Sequence, residues 1–207
     1  MKKNYSYIGI SFVILVFGIW AVPNIVERFL TPELATIGQV PAFSFTNQDG
    51  KQITNQDFKD KVYIVEFFFT TCPSICPIMT ENMLKIQNEF LGNPRVAIAS
   101  ISIDPAHDTP QVLKEYAKNK GIIKPQWHLL TGKKEDVFKL SNEGFNLYVG
   151  EGSIEDGGFE HSGYFALIDQ NGNIRSRIDE HGNPIIYYDG LDDKAIQMLK
   201  EDIKHLL

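Results

Sequence analysis

The two cysteines of this 207-residue chain, Cys72 and Cys76, are its only ones and lie in the stretch "TTCPSICP", each followed by a proline. A thiolate is both a nucleophile and a soft metal ligand. Two thiolates on one short loop can form a disulfide, exchange electrons as a dithiol, or bind one metal ion from the same side. A purely structural disulfide is the least favoured, because so small a ring constrains little of the unfolded chain. The pattern therefore indicates redox or metal chemistry.

The proline after Cys76 predicts where the next helix begins. Proline fits the first position of a helix, because that position needs no intrahelical N–H. We therefore predict a helix from Pro77, with Cys76 as its N-cap. The positive end of the helix dipole favours a thiolate there.

A lone carboxylate, Glu66, precedes Cys72 by six residues within the otherwise apolar stretch "KVYIVEFFFT". This stretch predicts a strand covered by helices on both faces. A carboxylate in it is costly unless it has a partner or is protonated. We expect Glu66 either to find a backbone or lysine partner at the sheet edge, or to act as a proton acceptor near the cysteines.

One histidine of the five differs in its setting. His161 ends a segment, "VGEGSIEDGGFEHSG", with five glycines between 149 and 163, and it precedes the apolar stretch "GYFALID". Binding residues often lie in such loops at the end of a strand. Lone histidines are seldom ligands, so the others are interpreted as ordinary: His107, His128, His181 and His205.

The order of predicted elements indicates an α/β fold. A hairpin with its turn at Asp49-Gly50 comes first, followed by β-α-β units, a second hairpin with its turn at Asn171-Gly172, and a closing helix. Thr109 and Pro110 are predicted to open one of the helices as N-cap and first residue. This alternation predicts a thioredoxin-like sandwich, a central mixed sheet flanked by helices, with the cysteines at the end of the central strand.

The N-terminus has a different composition. Lys2 and Lys3 precede an uncharged run of 17 residues from Ser6 to Val22, at the short end of what spans a bilayer. We predict a cytoplasmic segment 1–5, a transmembrane anchor 6–25, a linker 26–40 and a domain 41–207. A cleaved signal peptide is the alternative, but no clean A-x-A site follows the run. The lysines place the domain outside the cytoplasm, on the periplasmic or exoplasmic side of a bacterial inner membrane, with a single pass.

The charge balance argues against nucleic acid as a partner. The formal net charge of the chain is −6; without the first 30 residues, 17 Lys and Arg remain against 25 Asp and Glu, which gives −8. An acidic domain of this kind lacks the basic surface that binding to a phosphate backbone requires.

Four stretches together resemble the Sco/SenC family of membrane-anchored copper proteins: "TTCPSICP", "SIDPAHDTPQVLKEY", "FEHSGYFALIDQNG" and the C-terminal "IIYYDGLDDKAIQMLKEDIKHLL". The resemblance runs from about Pro41 to Leu207. It implies that Cys72, Cys76 and His161 bind one copper ion.

A further family element, D-P-x-x-D-T-P, is matched by Asp104, Asp108, Thr109 and Pro110. We interpret this segment first as the chemistry of a helix start, with the two aspartates as supporting residues.

The residue types agree with copper as the cofactor. Two sulfurs and an imidazole accommodate Cu(I) as well as Cu(II), whereas Mg²⁺ or Ca²⁺ would require oxygen ligands. Zinc also accepts these ligand types, but a structural zinc site would use a fourth protein ligand, and the sequence offers no obvious one.

Two functions follow from the sequence. The resemblance implies a metallochaperone that passes copper to the copper centre of cytochrome c oxidase subunit II; the copper donor is not identified. The alternative is a thiol-disulfide oxidoreductase, or a peroxidase-like thiol enzyme, in which Cys72 and Cys76 are the catalytic redox pair. Against it, the spacing is C-x-x-x-C, and His161 stands where thioredoxins keep a proline.

Overall fold

A computed structural model describes residues 6–30, 34–152 and 158–207. It divides into two compact units, Met1–Glu33 and Leu34–Leu207. The first unit contains helix α1, Ser6–Leu30, which includes the predicted anchor. Within the described residues, no helix combines the length and the apolar character needed to cross a membrane. The predicted transmembrane anchor is therefore not confirmed.

The second unit is a mixed α/β domain. Its strands are β1 Leu34–Gln39, β2 Ser44–Asn47, β3 Gln52–Thr54, β4 Val62–Phe68, β5 Val96–Ser102, β6 Trp127–Thr131, β7 Val149–Glu151, β8 Phe159–His161, β9 Tyr164–Ile168, β10 Asn173–Arg177 and β11 Tyr188–Asp189. Its α-helices are α2 Ile75–Glu89, α3 Pro110–Lys120, α4 Lys134–Lys139 and α5 Asp193–Leu206. A 3₁₀ turn covers Asn55–Phe58, and a π-helical turn, Leu140–Gly144, continues α4.

The main sheet has the strand order β1-β10-β9-β4-β5-β6-β2-β3, and β11 pairs with the start of β9. Strands β4, β5 and β6 are parallel to one another, and the remaining neighbours are antiparallel. This arrangement confirms the predicted thioredoxin-like α/β fold with a central mixed sheet.

Every residue of β4 and β5 is buried. The apolar character of both strands requires this, since parallel strands carry covering elements on both faces. Their register sets Glu66 beside Ser100. Because β4 leads directly into the cysteine segment, the centre of the sheet fixes where the candidate site begins.

Residues Leu34–Gln39 differ from the prediction. They were expected in a linker, but they form β1, which pairs antiparallel with β10 from Leu34 opposite Arg177 to Gln39 opposite Asn173. The ordered domain therefore begins at Leu34 rather than Pro41. An edge strand of this kind is half exposed, so its sequence carries little apolar alternation, and its partner lies far along the chain.

The glycine-rich segment before His161 also contains regular structure. β7 and β8 pair antiparallel, with Val149 opposite His161 and Glu151 opposite Phe159. Residues 153–157, which join these strands, lie outside the described residues. The hairpin delivers His161 to the end of β8, just before β9 enters the main sheet.

Candidate metal centre

Helix α2 begins two residues earlier than predicted, at Ile75, and Ser74 precedes it without a side-chain capping bond. Cys76 is thus the second helical residue rather than the N-cap. Pro77 remains compatible with the helix, because the N–H groups of the first turn have no intrahelical partner. Cys76 still lies at the positive end of the helix dipole, so the expected electrostatic effect on a thiolate is retained.

The imidazole of His161 is oriented by its own backbone neighbour. Its Nδ1 lies 3.1 Å from the carbonyl oxygen of Ser162. A carbonyl can only accept, so Nδ1 donates, and the neutral ring presents the lone pair of Nε2. Nε2 lies 3.2 Å from Sγ of Cys76. A carbonyl partner of this kind orients histidine ligands in metal sites.

The structure brings together the three residues predicted to bind metal. Both cysteines are free thiols and buried, and His161 is half buried. The Sγ atoms of Cys72 and Cys76 and a ring nitrogen of His161 all lie within 4.8 Å of one another. Within the described residues, no other group of three His, Cys, Asp or Glu ligands is this compact. The donor set of two sulfurs and one nitrogen fits a soft or intermediate metal ion.

A cavity of about 410 Å³ is lined by two of these three residues, Cys72 and His161. Phe69 and Phe159 form an apolar part of its wall, and exposed Glu160 lies at its polar side. The ring of Phe69 meets the His161 ring edge-on at a centroid distance of 5.8 Å. The site is therefore packed from behind and open on one side.

The two thiols titrate as a pair. The pKa of the Cys72 thiol is lowered, mainly because its thiolate accepts a hydrogen bond from Cys76. The pKa of the Cys76 thiol is raised, by that same hydrogen bond and by burial. One sulfur is thus ready as a thiolate, while the second must lose its proton when a metal binds.

Glu66 has neither the backbone partner nor the lysine partner that we considered. It is 2% exposed, and its Oε1 accepts a hydrogen bond of 2.5 Å from the hydroxyl of Ser100. The Ser100 oxygen in turn accepts from Nε1 of Trp127 at 2.8 Å. Oε2 has no hydrogen-bond partner among the described residues. Burial raises the pKa of Glu66 to about 7, against the opposing effects of the Ser100 hydrogen bond and of nearby His161.

The two predicted supporting aspartates lie outside the group of three ligands. Asp108 is fully buried and accepts hydrogen bonds from the Thr70 backbone at 3.0 Å, the Ser102 hydroxyl at 2.6 Å, the Thr70 hydroxyl and Nδ1 of His107 at 3.1 Å. The carbonyl of Asp104 accepts from the Asp108 N–H at 2.8 Å. Asp108 therefore fastens the segment that leads into Cys72 to the end of β5.

The predicted start of α3 is confirmed, and the other histidines remain outside the site. Thr109 caps the helix by accepting from the N–H of Val112, and Pro110 is the first helical residue. His107 contacts Asp108, and His128 contacts Asn47 at 3.4 Å. Neither belongs to the compact group of ligands.

Sequence reasoning missed the residues that hold the cysteine helix in place. The Thr80 hydroxyl donates to the carbonyl of Cys76 at 2.8 Å and lies 2.8 Å from the hydroxyl of Tyr116. Asn82 donates to the carbonyl of Gly190 at 2.7 Å, and the N–H of Gly190 donates to the carbonyl of Gly163 at 2.7 Å. The i, i+4 spacing of Thr80 from Cys76 could have indicated the first contact. The second joins distant segments and has no local signature.

The mixed sheet, with a cluster of two cysteines and a histidine at the end of its central strand, defines a thioredoxin-like domain with a candidate metal site. The family model of SCO1/SenC matches residues 33–195. The chain therefore belongs to the SCO1/SenC family, as the sequence motifs predicted. A curated relative, the SCO1 protein homolog of Bacillus subtilis, is 32% identical over 166 residues, which cover 78% of this chain and 84% of the relative.

Solved structures of the family are similar over most of the domain. A SCO1/SenC family lipoprotein from Bacillus anthracis has a TM-score of 0.71 at 34% identity, covering 82% of this chain and 95% of its own. BsSco, described with a disulfide switch as a member of the Sco family of cytochrome c oxidase assembly proteins, has a TM-score of 0.69 at 28% identity, covering 83% and 95%. Yeast Sco1 with copper bound has a TM-score of 0.61 at 25% identity, covering 82% and 91%.

Proposed function

We propose that this chain is a copper metallochaperone that binds one copper ion through Cys72, Cys76 and His161. The observation that carries the proposal is the approach of two sulfurs and one ring nitrogen to within 4.8 Å of one another. The cavity beside them leaves one side of the ion accessible to a second protein. Copper is the metal present in the yeast relative, and a set of two thiolates and an imidazole suits both of its common oxidation states.

The acceptor that we propose is the copper centre of cytochrome c oxidase subunit II. Two considerations support it: the family resemblance of the sequence, and the description of BsSco as belonging to a family of cytochrome c oxidase assembly proteins. A three-ligand site also suits a carrier, because an incoming ligand from the acceptor can add to the ion before a ligand of the carrier leaves.

A copper titration tests the site. We expect the reduced fragment 31–207 to bind one copper ion under anaerobic conditions, with a sulfur-to-copper charge-transfer band for Cu(II). Cys72→Ser and Cys76→Ser should each abolish tight binding in competition with a chelator, because a hydroxyl is a harder ligand that stays protonated. His161→Ala should also weaken copper binding strongly, because it leaves only the two sulfurs as ligands. The matched control is His181→Ala, since His181 is exposed and is not one of the three ligands. Wild-type affinity in any one of the three site variants would contradict the proposed ligand set.

Thiol-disulfide exchange is the second candidate function. It is favoured by the geometry of two free thiols that share one short segment at the start of a helix. Oxidation of both thiols to a disulfide would release two electrons and two protons to the disulfide of a target, which becomes a dithiol.

His161 separates the two candidates, since dithiol exchange does not require it. In cells that lack the native gene, stably produced His161→Ala should fail to restore copper-dependent oxidase activity if the chain delivers copper. Full restoration by that variant, with failure of Cys72→Ser, would favour the reductase instead.

We also propose that the domain works outside the cytoplasm, attached to the bacterial inner membrane through residues 6–25. The uncharged run from Ser6 to Val22 and the preceding lysines support this, and one relative is described as a lipoprotein. Alkaline extraction of membranes tests the attachment. The full chain should stay in the membrane fraction, whereas a chain that begins at residue 31 should be released; release of both would contradict the anchor.

A further inference from the structure

Glu66 is a buried carboxyl group that the proposed ligand set does not use. It lies in the centre of β4, and its only described hydrogen bond joins it to Ser100 on the neighbouring strand β5. Its second oxygen, Oε2, is buried without a partner in the described part of the chain. Burying a carboxyl group in the central sheet costs free energy. Because Glu66 lies in β4, the strand that leads into the cysteines, we expect a role that depends on its charge.

The ionisable groups that Glu66 affects belong to the site or lie next to it. His161 acts electrostatically on Glu66, and a negative charge on Glu66 acts in turn on Cys76 of α2 and on Tyr116 of α3. None of these three side chains is joined to Glu66 by a described hydrogen bond. Its influence on the site is therefore a matter of charge through a buried, weakly screened medium rather than of direct contact.

The charge of the site depends on the oxidation state of the ion. Two thiolates, a neutral imidazole and Cu(II) sum to zero, whereas the same ligands with Cu(I) sum to −1. An ionised carboxylate nearby repels the second assembly more than the first. A neutral carboxylic acid favours neither, so the ionisation of Glu66 distinguishes two ions that share the same ligands.

We propose that Glu66 sets the oxidation-state preference of the copper site: its carboxylate favours Cu(II) over Cu(I), and protonation of the carboxylate removes this preference. This inference rests on the proposed function, since it concerns the same three ligands. The raised pKa of Glu66, about 7, places both of its forms within reach of ordinary pH. Cu(II) binding should then release the Glu66 proton, whereas Cu(I) binding should retain it.

Substitution of Glu66 by glutamine tests the role of the charge, because the amide keeps the shape and the bond to Ser100 but cannot ionise. With the purified full chain in detergent at pH 8, we expect Glu66→Gln to bind Cu(II) roughly tenfold more weakly than wild type. Cu(I) affinity, measured anaerobically against a chromophoric chelator, should change by less than about threefold. The control is Glu81→Gln, which removes an exposed carboxylate from the cysteine helix and should change neither affinity.

An infrared measurement gives a readout that does not require copper delivery. The metal-free chain at neutral pH should show a buried, protonated carboxyl band that is absent in Glu66→Gln, and the band should disappear when Cu(II), but not Cu(I), binds. If Glu66→Gln fails to fold, Ser100→Ala replaces it. Loss of that hydrogen bond raises the pKa of Glu66 further and should weaken Cu(II) relative to Cu(I).

The outcomes separate this inference from the proposed function. Equal weakening of Cu(I) and Cu(II) in Glu66→Gln would show a structural role and overturn the inference while leaving the copper site intact. Unchanged affinity for both ions would overturn it in the same way. Failure of the wild-type chain to bind either ion would overturn the proposed function itself.

Discussion

At the scale of single residues, the line from Trp127 through Ser100 to Glu66 shows how one buried acid is accommodated. The indole N–H donates to the serine oxygen, and the serine hydroxyl donates to Oε1. The serine thus satisfies two buried polar groups at once, which offsets part of the cost of burying the carboxyl. Within the part of the chain that the structure describes, Oε2 has no hydrogen-bond partner, so the ionised carboxylate remains unfavourable in this buried position. Protonation lowers the free energy of the buried group.

The raised pKa of Glu66 predicts how stability depends on pH. The folded, metal-free chain keeps this proton up to about pH 7, whereas the unfolded chain releases it near the ordinary value of 4.5. Between these values the unfolded state binds fewer protons, so the contribution of Glu66 to stability falls as pH rises. Glu66→Gln should remove this loss, and its stability relative to wild type should rise by up to about 3 kcal/mol across the window.

Urea unfolding of the reduced chain at a series of pH values between 4.5 and 8 would measure this difference. Other carboxylates cancel in the comparison, because both proteins contain them. Exposed Glu81 again supplies the control, since Glu81→Gln should stay parallel to wild type. A constant difference between Glu66→Gln and wild type would mean that Glu66 is ionised in the folded state throughout.

The serine in this line gives a second prediction. Ser100→Ala leaves the buried Trp127 N–H without its acceptor and removes the donor to Glu66, so unfolding should become easier by about 1–3 kcal/mol. Ser44→Ala is the matched control, because Ser44 is exposed and its bond from Gln52 can be replaced by water. Chemical denaturation of both variants at pH 7 measures the effect. Similar losses for the two serines would contradict the role assigned to Ser100.

At the scale of elements, Gly190 joins the two halves of the candidate site. Its carbonyl accepts from Asn82 on α2, the helix of Cys76, and its N–H donates to Gly163, two residues after His161. A Cβ at Gly190 would lie 2.7 Å from the Gly163 oxygen and 2.9 Å from the Phe165 ring. The backbones of Gly190 and Gly163 can approach this closely only because Gly190 has no side chain between them.

Gly190→Ala should therefore push the segments of Gly190 and Gly163 apart. We expect a loss of about 1–3 kcal/mol in stability from overpacking, together with weaker copper binding as His161 moves relative to Cys76. Gly38→Ala is the control, because a Cβ there meets only Ile174 at 3.5 Å, an ordinary contact. Thermal unfolding and copper competition measure the two effects. Wild-type copper affinity in a destabilised Gly190→Ala would show that the junction holds the fold but not the site.

Local sequence predicted the elements whose signals are local. The apolar runs predicted β4 and β5, and Thr109 with Pro110 predicted the start of α3. The family motifs predicted the three residues that cluster in the candidate site. The pairing of β1 with β10 and the Ser100 partner of Glu66 depend on contacts between segments far apart in the chain, which periodicity cannot reveal. The start of α2 was misplaced because proline is accepted anywhere in the first helical turn, so it limits the boundary without fixing it.

At the scale of the whole molecule, β1 closes one edge of the sheet. It covers β10, and Arg175 donates to the carbonyl of Leu34 at 2.7 Å. The same guanidinium makes an ion pair of 3.0 Å with Asp169 at the end of β9. The first strand of the domain is thus tied to the strand pair that follows His161, although its sequence resembles a linker.

Truncation tests the importance of this edge. A fragment 41–207 should melt several degrees below the fragment 31–207, because it lacks β1 and exposes an unpaired edge of β10. It should also aggregate more readily at equal concentration, which light scattering would detect. Copper affinity at low temperature should change little, since β1 lies three strands from β4, the strand that leads into the cysteines. Equal melting temperatures would mean that residues 34–39 act as a linker after all.

Cys76 and His161 lie 85 positions apart in the chain, and this separation imposes an order on the biogenesis of the site. During synthesis the two thiols emerge before the imidazole, so a partly made chain offers only two of the three ligands. His161 precedes β9, which lies in the finished sheet between β10 and β4, the strand that leads into the cysteines. Copper binding by all three ligands would therefore require the finished fold, in contrast to small zinc domains, in which the metal drives folding. A chain that stalls before this step would lack the complete ligand set, so an occupied site would mark a completed domain.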